Sequence, residues 1–339
     1  MFRLAKIKDG QQIINFLQAH WNADHVYVRF PELFYYDFQQ GKRLNFGLME
    51  IGGVIKGIFG YFFYNKTSNP DIGGMLWQVT PDIQRRIPLA GLRLRQFVLQ
   101  QVKHRFFGSP GANPQTRVIY QRLGMTWAPM EHFVGTDKQE HWPTFIRIRG
   151  GVLKPKPRVL RATQLIGSSE LQSIDNKIFQ AQTPIKDLNY IERRFLKHPF
   201  RSYQIWLVES PAAQNVVVTR RQNIKDLLVL RVIDVIGDPD RAAGAICAVF
   251  DKEKHCCSYV DFVAYGFNSN LFRSMGFARV DFDKKGQDYV PNYFEPLSES
   301  PVQLFANCDS GYTATTMVKG NGDQDRPNDI KVSLSRSNP

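Results

Sequence analysis

Val79-Thr80-Pro81-Asp82-Ile83-Gln84-Arg85-Arg86-Ile87-Pro88-Leu89-Ala90-Gly91-Leu92-Arg93-Leu94 is the stretch on which the fold turns. It begins as the strand Met75-Leu76-Trp77-Gln78-Val79 runs out into Thr80-Pro81. It then passes a loop bearing Arg85 and Arg86, and enters a basic amphipathic helix read from about Leu89 to His104. A loop ending at a helix N-terminus offers backbone N–H groups, aided by the helix dipole, to an anion such as a pyrophosphate. The order recurs later as the apolar strand Leu227 to Ile236, the turn Gly237-Asp238-Pro239 and a helix from about Arg241 to Phe250.

Outward from these stretches the two halves run in parallel. The first opens with a strand, Phe2 to Ile7, and a helix, Gln11 to Trp21, whose Ile13, Ile14, Leu17 and Trp21 recur at helical spacing. Asn45 to Glu50 and Val54 to Phe62, joined by Gly52-Gly53, read as a hairpin. After a turn at Gly108 to Pro114, a helix from Gln115 to Leu123 stops at Gly124. In the second half Val159-Leu160 leads into a helix from Ser168 to Gln180, followed by extended runs over Gln204 to Val208 and Asn215 to Thr219. A strand, Tyr259 to Val263, and a short helix, Ser269 to Ser274, close the unit. Lys154-Pro155-Lys156-Pro157 is a charged connector, so the expected domains are 1–153, 158–300 and a polar C-terminal segment, 301–339.

A chain of 339 residues, 43% hydrophobic and 22% charged, is globular, which excludes disordered, collagen-like and coiled-coil classes. No apolar run is long enough to span a membrane, and the N-terminus lacks a cleavage-like tail, so a soluble cytoplasmic protein is expected. Cys247, Cys256, Cys257 and Cys308 match neither a zinc-ligand spacing nor a disulfide framework. Buried reduced thiols and no metal are expected. The net charge of +13 is concentrated in the first half, where residues 1–157 hold 21 Lys/Arg against 10 Asp/Glu. Residues 83–130 carry eight cations and no acid, which points to a polyanionic partner: nucleic acid, a membrane surface or a phosphate-rich ligand.

The repeated unit resembles the GCN5-related N-acetyltransferase (GNAT) superfamily. Residues 79–94 look like that superfamily's strand, loop and helix, which bind acyl-coenzyme A through a Gln/Arg-x-x-Gly-x-Gly/Ala pattern. Arg86 and Gly91 stand at its ends, while Leu89 replaces the first glycine. A second segment, Asn113 to Met125, is similar to the late Asn-x-x-x-x-x-x-Tyr-x-x-x-Gly-Phe helix. The resemblance implies an α/β (α+β) fold of two tandem GNAT-like units, each a mixed central sheet flanked by helices. It implies an acyl-CoA co-substrate held by Val79, Gln84, Arg85, Arg86, Ala90, Gly91 and Asn113, with Tyr120 protonating the departing thiolate.

His132 is the residue placed to take a proton from an attacking amine. Asp261, and Asp323, Asp325 and Arg326 in the tail, are placed to bind an acceptor's hydroxyl, amine or acidic groups. The loop of the second half has three acids against one Arg across 234–244, and so reads as a pseudo-site that shapes the acceptor.

The implied function is transfer of an acyl group from acetyl-CoA or another acyl-CoA to an amine. The acceptor expected is an amino sugar of a sugar nucleotide or related polyhydroxylated compound, as in bacterial surface-polysaccharide biosynthesis. Two alternatives stay open: a Fem-type transferase that takes its acyl group from aminoacyl-tRNA, and a non-catalytic acyl-CoA-binding or nucleic-acid-binding module. Nucleic acid ranks behind the small-molecule acceptor as a partner.

Overall fold

Gly52 and Gly53 take left-handed backbone angles, φ +59° and +79°, a pair that glycine adopts without strain, and the tight turn between them closes the expected hairpin. Across it Ile51 pairs with Val54 and Glu50 with Ile55. The computed structural model describes residues 1–137, 146–147, 151–153, 160–211, 213–224, 227–282, 290 and 302–322. It divides into two compact units, Met1–Phe107 and a second beginning at Gly108. That division falls ahead of the Lys154–Pro157 connector, which lies outside the described residues.

The first unit contains β1 (Phe2–Lys6), α1 (Gly10–His20), α2 (Val26–Arg29), α3 (Pro31–Phe38) and β2 (Gln39–Gln40). β3 (Arg43–Ile51), β4 (Val54–Phe63), β5 (Asp71–Val79), α4 (Pro81–Arg86) and α5 (Ala90–Gln101) follow. β1, β3, β4 and β5 lie side by side, antiparallel, with β2 on β3. Neighbours along a strand face opposite sides, and β3 shows what covers each. Phe46 packs on Phe34 and Phe38 of α3, with ring centroids 5.6 and 4.5 Å away. Gly47 lies under α5, where a Cβ would come 2.1 Å from Val98 Cγ2.

β6 (Phe106–Ala112) leads into the second unit, which holds α6 (Arg117–Arg122), β7 (Thr126–Pro129), β8 (Glu131–Gly135) and β9 (Arg161–Leu165). Next come α7 (Leu188–Ile191), β10 (Gln204–Ser210), β11 (Ala213–Ile224), β12 (Leu227–Gly237) and α8 (Ala242–Glu253). The last elements are β13 (Tyr259–Tyr265), α9 (Ser269–Ser274), β14 (Ala278–Arg279), β15 (Phe305–Cys308) and β16 (Met317–Val318). The main sheet runs β14-β8-β13-β12-β11-β10-β9. β12 and β13 are parallel, joined through α8, whose Ala242, Ala245, Ile246 and Val249 share a core with Leu230, Val232 and Val260.

Two strands sit far from their sequence neighbours. β8, which precedes the connector, lies between β13 and β14, and β15 lies between β6 and β7. The helix expected over Ser168 to Gln180 is instead two 3-10 turns, Glu170–Ser173 and Asn176–Gln180, because Ile174 and Asp175 are extended and the Asp175 side chain caps the second turn. Three cysteines are buried as expected; Cys256 is exposed.

Candidate functional site

In the first unit the ladder between β4 and β5 slips: Ile58 pairs with Gln78 but Gly60 with Met75, so Leu76 and Trp77 together oppose Phe59. Leu76 is left-handed there (φ +49°) and 2% exposed. Such bulges re-aim backbone groups and recur beside ligand sites. Past the strand end Gln84 Nε2 donates to Val79 O at 3.1 Å, which ties α4 back onto β5. Asp82, in the first turn of α4, is bonded by Thr80 and by Lys56 (3.3 Å), which hold its carboxyl below the usual range.

The loop then reaches Leu89, whose φ of +58° and ψ of +27° are the left-handed conformation that favours glycine. Leu89 is thus a leucine in a glycine's conformation, at the position where the pattern has glycine. α5 starts at the next residue, buried Ala90, and Trp77 Nε1 donates to Gly91 O at 3.1 Å. Arg85 and Arg86 are exposed and form no ion pair among the described residues. Not all of the basic stretch is free for a partner. Arg95 is buried over the Phe107 ring at 4.6 Å, and Arg105 Nε donates to buried Asp71 at 2.8 Å.

In the second unit Asn113 Oδ1 accepts the Gln115 N–H at 2.9 Å, so it caps the turn before α6. Tyr120, on α6, is 3% exposed. His132 and Asp261, far apart in sequence, are brought together: His132 Nε2 lies 3.0 Å from Asp261 Oδ2. Arg231 pairs with the same carboxylate and donates through Nε to Gln222 Oε1 at 2.9 Å, completing a polar row across β8, β13, β12 and β11. Asp261 and Arg231 are fully buried and His132 is 7% exposed. His132 and Arg231 both engage Oδ2 of Asp261, which lies fully buried within this row. Burial pulls His132 below its ordinary pKa; Asp261 works against this and Arg231 and Lys319 work with it.

The second strand, loop and helix are arranged differently. Asp238 Oδ1 accepts the Asp240 N–H at 3.0 Å, and Arg241 pairs with Asp238 at 3.3 Å and donates to Ser210 Oγ at 2.8 Å. A cleft of about 220 Å³ lies beside this loop, lined by Ser210, Arg241, Ala243, Gly244, Leu271 and Met275 among others. β12 also bulges, at Ile233. The next residue, Asp234, is fully buried and receives Lys186 Nζ (2.6 Å), the Val235 N–H (2.9 Å) and Asn321 Nδ2 (2.9 Å). Burial lowers the Lys186 pKa and raises that of Asp234, each opposed by the other's charge.

Asp323, Asp325 and Arg326 lie outside the described residues. Sequence reasoning missed the two bulges and the Lys186–Asp234–Asn321 cluster. The signal for the latter was present: Arg231 and Asp234 interrupt a strand otherwise made of Leu, Val and Ile, and charges inside such a run are buried only when paired.

No family model matches the sequence, and no curated protein matches it. Among solved structures, a GCN5-related N-acetyltransferase from Anabaena variabilis aligns with 91% of this chain and 72% of its own, at 12% identity and a TM-score of 0.56. A GCN5-related N-acetyltransferase from Kribbella flavida covers 91% of this chain and 70% of its own, at 12% identity and a TM-score of 0.48. The first likeness shows the fold: a mixed α/β chain with two sheets flanked by helices, in the architecture of GCN5-related N-acetyltransferases. Among the described residues no helix is long and apolar enough to cross a membrane.

Proposed function

We propose that the protein is an N-acyltransferase that moves an acyl group from acyl-CoA to an amine of a sugar nucleotide or related polyhydroxylated acceptor. The observation that carries this reading is the loop of the first unit. Leu89 holds the glycine-like conformation that starts α5, and Arg85 and Arg86 flank it with no acidic partner among the described residues. Backbone N–H groups at the start of α5 and these guanidiniums suit a pyrophosphate. The bulge at Leu76 and Trp77 suits a donor's thioester, since a re-aimed N–H can stabilise the oxyanion that forms there.

In the proposed reaction the amine attacks the thioester carbon directly, the tetrahedral adduct expels the thiolate, and the thiolate takes a proton from an acid, the role for which the sequence resemblance offers Tyr120. The amine releases its proton to solvent or to a base of the acceptor site.

The test is donor binding followed by thermal unfolding. Acetyl-CoA at a hundred times its Kd adds roughly 2.7 kcal/mol to stability. Arg86→Glu is expected to remove that gain and Arg241→Glu to leave it. The opposite pattern moves the donor site to the second unit. Stabilisation by RNA, steeply weakened by salt, in place of acetyl-CoA would favour the aminoacyl-tRNA-dependent alternative.

A further inference from the structure

Thr316, Met317, Val318, Lys319 and Asn321 are each at most 1% exposed, although their composition is that of a solvated tail. Burial of such a segment calls for partners for its polar groups, and the second unit supplies several of them. β12 and β13 are hydrogen-bonded only from Val229 opposite Tyr259 to Val232 opposite Phe262, and beyond that point the parallel pair is no longer joined. The crevice at the carboxyl ends of adjacent parallel strands is where open α/β sheets ordinarily take ligands.

Here the chain's own segment enters it. Met317 and Val318 pair with Tyr265 and Ala264 of β13. Gly320 lies so close to β12 that a Cβ would come 2.2 Å from Ile233 O. Gly320 O accepts from Arg194, and Asn321 Nδ2 donates to Asp234. On the far side Thr316 N donates to Thr183 O at 2.7 Å.

We propose that this crevice is a peptide-binding site whose ligand is residues 315–322 of the same chain. The crevice recognises an extended strand followed by Gly-Asn: β13 supplies the main-chain ladder, Ile233 admits glycine alone, and Asp234 reads the asparagine amide. The second unit is then closed to other ligands at the carboxyl ends of β12 and β13. This stands independently of the proposed acyl transfer, because its test uses no acyl donor.

The experiment is complementation. A chain ending at Tyr312 keeps β15 and loses the segment, and a synthetic peptide of residues 313–322 is titrated onto it by calorimetry. Saturable one-to-one binding is expected. Gly320→Val in the peptide should abolish it, and Asn321→Ala should weaken it about ten- to a hundredfold, the cost of leaving a buried acceptor unpaired. A truncated chain that is folded by circular dichroism yet fails to bind the peptide, or binds the Gly320→Val peptide equally well, overturns the proposal. If the truncated chain is insoluble alone, the two pieces are co-expressed. Rescue by the wild-type piece and not by the Gly320→Val piece supports the site, while equal rescue by both, or rescue by neither, overturns it.

Discussion

Replacing Asp234 by Asn keeps the side chain's shape and removes only its charge, so it isolates what the buried cluster contributes to the second unit. Asp234 receives three donors, Lys186 Nζ, the Val235 N–H and Asn321 Nδ2. An amide has a single acceptor oxygen and must turn its NH2 toward at least one of these donors. Lys186, fully buried, loses the charge that Asp234 sets against its own. Breaking a buried pair in this way costs about 3–5 kcal/mol. At roughly 2–4 °C per kcal/mol for a unit of this size, the transition should fall by about 6–20 °C. Lys186→Met combined with Asp234→Leu leaves no buried charge of this pair and should be less damaging than Asp234→Asn alone, although Asn321 Nδ2 and the Val235 N–H lose their acceptor. The assay is urea unfolding of all the variants, followed by far-ultraviolet circular dichroism. Asp234→Asn within about 1 kcal/mol of wild type, or the double variant less stable than Asp234→Asn, would refute the reasoning.

Tyr120→Phe should lower turnover about ten- to a thousandfold while leaving acyl-CoA affinity near normal, measured as kcat against Kd; unchanged turnover makes Tyr120 a packing residue. His132 has its pKa lowered by folding, so the unfolded chain binds the extra proton first. Its contribution is complete above its ordinary pKa of about 6.5 and is lost as pH falls through the lower folded value, and His132→Gln should flatten the slope of stability against pH below about 6.5. Leu89→Gly relieves a left-handed leucine worth about 1–2 kcal/mol and adds unfolded-state freedom worth roughly 0.5–1, so stability and acetyl-CoA affinity should both hold. Leu89→Pro, which fixes φ near −65°, should cost at least tenfold in that affinity by calorimetry.

Local signals made much of the fold legible. Gly52-Gly53 announced its hairpin, and Ser269–Ser274 is a helix over the residues read as one. Where the reading failed, a side-chain cap or a distant partner decided the outcome. Leu171, Ile174 and Ile178 have helical spacing, yet Asp175 prefers to cap its own turn, so the run breaks in two. β8 and β15 are short, and nothing within five or four residues says which sheet will take them. Thr316 to Asn321 reads as polar because its partners, Thr183, Arg194 and Asp234, lie more than eighty residues away. The sequence marks His132 and Asp261 as polar candidates, and the fold sets them side by side on the adjacent strands β8 and β13. The sequence showed their type but not the Arg231 between β11 and β13 that claims the carboxylate.

The same strand, bulge, loop and helix occur twice, and the charges placed on them differ at each step. β12 follows its bulge with Asp234, whose carboxylate takes the Val235 N–H, whereas β5 holds no acid after Asp71. The second loop pairs its single Arg241 with Asp238 and adds Asp240, while the first leaves Arg85 and Arg86 unpaired among the described residues. Two unit charges about 6 Å apart interact by roughly 3 kcal/mol at an effective dielectric constant near 20. For an incoming pyrophosphate, exchanging two free guanidiniums for one neutralised pair and an extra carboxylate shifts the balance by several such interactions before screening. That difference exceeds what helix dipoles contribute, which are alike in both units and worth at most about 2 kcal/mol. By this difference in charge the proposed anionic donor favours the first loop over the second, whose unit takes up residues 315–322 at the carboxyl ends of β12 and β13.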